Sequence, residues 1–208
     1  MHSGVQFGMT VDEVVELEEK SGFECKVYDE NSEYSGLGPN EHEVRVEGKI
    51  ASIDESSIEY YFVDNALTIA WYEFGNSGWG GFSYSPDDFD TVETALVNKY
   101  GEPNCPTGLF DSFAFTDDVE SITHCQECDV YGDCDIYGLS NWLIPLNDNA
   151  CIFIEHYLIS AEFVDDPSFA DGYHTLCYQV MDATEVKSVL QNAADEFLDN
   201  SQQLEDDI

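Results

Sequence analysis

Positive charge is what this chain most lacks. Six Lys and Arg stand against 44 Asp and Glu, a formal net charge of −38 at pH 7. Between Lys99 and Lys187 the only basic side chains are His124, His156 and His174. Affinity for nucleic-acid backbones and for anionic membrane surfaces comes from clustered Lys and Arg, so both kinds of partner are excluded. A site for phosphorylated or carboxylate substrates is hard to build within that stretch. Cations and basic proteins are the partners the charge favours, while the same acid also serves plain solubility in a salty or extracellular setting. Spread over a folded surface of the expected size, the net charges lie about 16 Å apart, roughly twice the physiological Debye length. Repulsion is therefore strong in dilute buffer and screened in salt, and thermal stability is expected to rise with added NaCl. Melts at low and moderate ionic strength check this; a flat or falling midpoint contradicts it.

Long apolar runs are missing too. No window approaches 18 uninterrupted apolar residues, and Met1–Gly8 has no apolar export region, so neither a membrane-spanning helix nor a signal segment is expected here. The nucleophile elbow G-x-S-x-G, the phosphate-binding P-loop and the dinucleotide fingerprint are all absent, because Gly78–Gly81 is short and no helix start follows it. Catalytic carboxylate pairs cannot be singled out against so acidic a background.

Aromatic area is abundant: 13 Phe, 12 Tyr and 3 Trp within a 43% hydrophobic composition exceed what an acidic disordered chain carries, so a folded core is expected. The most specific stretch is IEYYFVDNALTIAWYEF at Ile58–Phe74. Two alternating runs meet at Asp64-Asn65, residues that tolerate the left-handed backbone of a type I′ turn, so a β-hairpin is predicted. A two-residue turn sets Val63 opposite Ala66, Phe62 opposite Leu67, Tyr60 opposite Ile69 and Ile58 opposite Trp71. Ile58, Tyr60, Phe62, Leu67, Ile69 and Trp71 then form the core face, with Tyr61 and Tyr72 on the other. Trp79, in the Gly-rich connector that follows, joins Tyr61 and Tyr72 as a candidate binding aromatic, though a ring in such a loop more often folds back over the sheet.

Helix signals flank this hairpin. Thr10-Val-Asp-Glu13 is a capping box opening a helix to about Ser21, with Gly22 suited to end it. Ser85-Pro86 opens a second helix through Phe89, Val92 and Leu96 to Tyr100, stopped by Gly101 and Pro103. Asp29–Glu43 reads as a loop, and Val44–Ile53 as one or two strands. Together, FGMTVDEV at Phe7–Val14, the hairpin and NKYGEP at Asn98–Pro103 resemble a domain of bacterial secreted and lipid-anchored proteins. The Gly8-Met9-Thr10 start is similar to that of the small lipoprotein of the outer-membrane β-barrel assembly machinery. The helix-plus-sheet unit is similar to that of the β-lactamase inhibitor protein, which places two helices before its strands where this chain shows one. The resemblance spans residues 4–104 and implies a binding or assembly role without catalysis, at the cell surface if an export segment precedes this sequence.

In the second half, Trp142–Leu146 and Ala150–Ile159 read as a second hairpin, with Pro145 demanding an edge strand. His174–Met181 is a further strand candidate. Asp182-Ala-Thr-Glu185 caps a helix over 183–199, and Ser201–Ile208 reads as an acidic tail. Phe110–Phe115 is another possible strand, and Asp117–Gly138 reads as a polar loop. It carries Cys125, Cys128 and Cys134 beside His124, which allow structural zinc, disulfides or unpaired thiols. Asp129, Asp133 and Asp135 allow Ca²⁺ instead, although their spacing is not that of an EF-hand. His156, sharing its strand face with Ile152 and Ile154, reads as a satisfied histidine rather than a base.

The expectation is an α+β fold: an antiparallel sheet built on two hairpins, with helices on one face, residues 1–182 forming one domain and 183–208 a terminal helix and tail. The expected function is a non-enzymatic binding or assembly module for cationic or basic partners. The alternative is a carboxylate-based or metal-assisted hydrolase using a cleft between the hairpins.

Overall fold

The computed structural model of the chain describes residues 1–32, 37–75, 86–106, 131–163 and 170–206. It is α+β, with a seven-stranded antiparallel sheet and three α-helices among the described residues. The strands are β1 (Cys25–Tyr28), β2 (Glu41–Ile50), β3 (Ile53–Val63), β4 (Ala66–Glu73), β5 (Tyr131–Asn147), β6 (Ala150–Phe163) and β7 (Ala170–Asp182). The helices are α1 (Val11–Lys20), α2 (Pro86–Tyr100) and α3 (Ala183–Asp206). Sheet order is β1-β2-β3-β4-β7-β6-β5, so β7 returns between the two halves and joins them through antiparallel ladders to β4 and β6.

The turn between β3 and β4 is as its sequence dictates: Asp64 and Asn65 both take positive φ, at 51° and 59°. The register is not. Val63 faces Ala66 and Phe62 faces Leu67, but Tyr61 then faces Ile69, leaving Thr68 as an extra residue on β4. The Thr68 hydroxyl donates to the Tyr61 carbonyl at 3.2 Å, giving a partner to a backbone group beside the irregularity. One inserted residue reverses every later side chain. Ala70 and Tyr72 therefore enter the core in place of Ile69 and Trp71, while Ile58, Tyr60, Phe62 and Leu67 are buried as expected.

Helix α1 carries the reciprocal capping box, with Thr10 N–H donating to Glu13 at 2.8 Å, and Gly22 at φ 96° follows its end. Asn65 accepts the Val11 N–H at 3.2 Å, and the backbone of Gly8 and Met9 pairs with Leu67. The hairpin turn and the start of α1 thus hold each other. Past α2, the buried Trp142 indole donates to the Gly101 carbonyl at 2.8 Å, tying the end of that helix to β5.

Val14 of α1 and Val92 and Leu96 of α2 share one core cluster with Tyr60, Tyr72, Ile154 and Tyr178. Val186 of α3 packs instead with Cys105 and Phe153 in a separate cluster. Phe153 and Ile154 are adjacent on β6 and so point to opposite faces. The third helix accordingly covers the reverse face, where the sequence pattern had put all three together. Two boundaries also move. Residues 131–138 belong to β5 rather than to a polar loop, and α3 continues past 199 to Asp206. Pro145 lies on β5, an edge strand, as its missing N–H requires.

Candidate functional site

Between α2 and the sheet a groove of about 320 Å³ remains, within the range of small-ligand sites. Alternation on β4 and β7 supplies its aromatic and aliphatic floor, Tyr72 of β4 with Phe74 just past the strand's end, and Leu176 and Tyr178 of β7. Helical spacing supplies the rest. Val92 and Leu96 are buried in the wall, while Thr91, Ala95 and Lys99, each four residues apart, follow the exposed edge of α2. A second recess of about 250 Å³ shares Met1 and Tyr178 with it and adds Tyr100 and Ile152.

The Tyr72 and Thr91 hydroxyls of this groove are engaged within the protein. Tyr72 Oη accepts the His2 N–H at 3.0 Å, Thr91 donates to the Asp87 carbonyl at 2.8 Å, and the Tyr178 ring packs edge-on against Tyr100. Lys99 differs. Its ammonium lies 4.8 Å from the Tyr100 ring centre, a cation–π contact, and no carboxylate among the described residues is ion-paired to it.

Behind Tyr72 lies a carboxylate that is fully buried, Glu18 on α1, at 0% exposure. It accepts from Tyr60 Oη at 2.6 Å, Ser3 Oγ at 2.8 Å and His2 Nδ1 at 2.9 Å. A carboxylate only accepts, so His2 carries its proton on Nδ1. Burial pushes the Glu18 carboxyl up, but the bonds from His2, Tyr60 and Ser3 outweigh it and hold the group below its ordinary range.

A second buried network runs from α2 into the sheet. His156 Nδ1 lies 2.7 Å from Glu93 Oε2, and His156 Nε2 lies 3.0 Å from His174 Nε2. Glu93 also bonds Ser140. With the Nδ1 proton given to Glu93, His156 can only accept at Nε2, so His174 is the tautomer protonated at Nε2. Burial holds both rings neutral: the His156 pKa is lowered despite Glu93, and that of His174 falls to about 3 through burial and the nearby His156. Phe89 stacks on His156 at 4.2 Å and 7°. Gly138 makes room for that stack, since a Cβ there would lie 2.5 Å from the Phe89 ring. Phe74, on the groove floor, touches His174 with ring centres 4.7 Å apart.

The expected binding aromatics do not converge. Tyr72 is buried on the core face, whereas Tyr61 lies on the reverse face and donates to Glu59 at 2.7 Å, beside Arg45. There the Glu43 carboxyl is raised to about 7 by burial and by Glu59. Trp79, His124, Cys125 and Cys128 lie outside the described residues, as do Asp129, Phe110–Phe115 and the zinc and calcium sites read there; of Cys134, Asp133 and Asp135 only the backbone, in β5, falls within them. Among the described residues, Cys25, Cys105 and Cys151 are free thiols, and no three His, Cys, Asp or Glu side chains gather as metal ligands. His156 is a satisfied histidine, as its strand context suggested. Its contact with His174 was hidden because the β6–β7 register, with Leu158 opposite His174, is what brings the two rings into diagonal proximity.

No protein-family model, curated protein or solved structure matches the chain.

Proposed function

We propose that the chain is a non-enzymatic binding module whose ligand seat is the apolar groove beneath α2. Its anionic exterior favours cationic or basic protein partners around that seat. One observation carries this: a 320 Å³ concavity with an apolar floor, its Tyr72 and Thr91 hydroxyls already bonded within the protein. Such a surface has little chemistry to offer a reacting group and much area to offer an apolar one. The nearest buried carboxylate, Glu18, has its oxygens occupied by three donors and faces no open space.

Calorimetric titration with decanol, an uncharged apolar probe, tests the seat. One-to-one saturable binding is expected, abolished by Ala95→Trp, which fills the groove from an exposed rim position and should leave the melting curve unchanged. Absence of saturable binding, or binding untouched by Ala95→Trp, overturns the assignment.

A further inference from the structure

We infer that the groove takes a ligand with an apolar chain and a single acidic head, as a medium-chain carboxylate has, with Lys99 receiving the head. This rests on the groove being a ligand seat and names the chemistry it selects.

The chain has only six Lys and Arg, so the position of each is informative. Lys26, Arg45 and Lys49 are ion-paired to Glu47, Glu59 and Asp54. Lys20, Lys99 and Lys187 have no ion pair among the described residues, and of the six Lys99 alone lines the groove. An exposed ammonium gains less from resting on an aromatic face than from a charge-assisted hydrogen bond to a carboxylate. An arriving acidic head is therefore the better partner. Because the Tyr72 and Thr91 hydroxyls are bonded within the protein, Lys99 is the cationic side chain left to fix a ligand's polar end, beside the Met1 amino group that also lines the groove.

Placement agrees with this. Lys99 stands in the last turn of α2, at the end of the Thr91–Ala95–Lys99 edge, so a head held there leaves the chain to run back over Leu96 and Val92. Asp87, Asp88 and Asp90 crowd the opposite end of the helix. At 1.5 Å per residue Asp90 is about 13 Å from Lys99 along the axis, beyond the Debye length of about 8 Å at physiological salt. Glu93, about 9 Å away, is bonded to His156, and Glu102, three residues past Lys99, makes no ion pair with it among the described residues. The exterior thus favours cations at long range while the groove mouth favours an anion at contact. At about 30 Å³ per water-sized group, the volume holds roughly ten such groups, which sets the chain length.

Decanoate, decanol and decylammonium, each below its micelle concentration in 0.15 M NaCl, provide the test by calorimetry. Decanoate should bind about tenfold more tightly than decanol, with decylammonium weakest. Lys99→Met should bring decanoate down to decanol and leave decanol unchanged, and Lys99→Glu should reverse the order of acid and amine. Lys99 is exposed, so neither change threatens folding. Decanol binding with no preference for the acid, or decanoate affinity unmoved by Lys99→Met, overturns the acidic-head inference while the seat itself stands. If none of the three probes binds, both fall.

Discussion

Glu18→Ala is expected to lower stability by about 3–5 kcal/mol, the range for breaking a buried ionic network by removing one partner. For a chain of this length that corresponds to a melting midpoint roughly 6–20 °C lower. The change removes the acceptor shared by Tyr60, Ser3 and His2, and Tyr60 is itself wholly buried, so its hydroxyl is stranded with no water to turn to. Tyr60→Phe should cost only about 1 kcal/mol, because Glu18 keeps its other two donors. Combining Glu18→Met with Tyr60→Phe should be milder than the sum of the two single changes, since both partners of one bond leave together. Denaturant unfolding of the variants decides it. A loss below about 1 kcal/mol for Glu18→Ala would mean that the network opens to water and holds α1 to the sheet only weakly.

That network shows where local pattern reaches its limit. The capping box at Thr10 and Glu13, the positive-φ turn at Asp64-Asn65, Pro86 at the start of α2 and the edge position of Pro145 each follow from a few neighbouring residues, and each is present. What went astray depends on partners distant in sequence. Glu18 sits on a helix that reads as amphipathic with its acids outward, yet it faces Tyr60, 42 residues on. The single extra residue at Thr68 is invisible to alternation counting, because TIAWY alternates equally well from either start. A bulge is set by the strand opposite and by a hydroxyl able to close the gap.

The candidate site was less legible for the same reason. Tyr72 was singled out, but as a surface ring on the face of Tyr61, and the reversal at Thr68 moves it to the groove floor. Leu176 and Tyr178 reach that floor only because β7 inserts beside β4, a pairing between residues about 100 apart that no window of sequence contains. No local pattern marks Lys99. Its meaning comes from the cavity beside it, which only the folded sheet and α2 create.

Acid should expose the second network as an instability, once one opposing group is removed. In the unfolded chain His156 and His174 take up protons near pH 6.5, whereas in the fold burial keeps them neutral, His174 down to about 3. The unfolded state therefore binds more protons as pH falls below 6.5, and stability present above that value is lost at about 1.4 kcal/mol per pH unit for each histidine that stays neutral. The two are not equivalent. Glu93 offsets part of the burial of His156, whereas no carboxylate does so for His174, and protonating both would set two N–H donors against each other across 3.0 Å. Glu43 acts in the opposite sense: raised to about 7 from an ordinary 4.5, it gives the fold the extra proton between those values, so its contribution grows as pH falls. Glu43→Gln removes that term. In this background, with salt held at 0.15 M to screen the net charge, stability should fall from pH 7 to pH 5 by at least 2 kcal/mol. Adding His174→Phe, which leaves only His156 to be protonated, should roughly halve that slope. Stability that is flat or rising over this interval in Glu43→Gln would show that the histidine pair accepts protons without strain, and that burial does not hold it neutral.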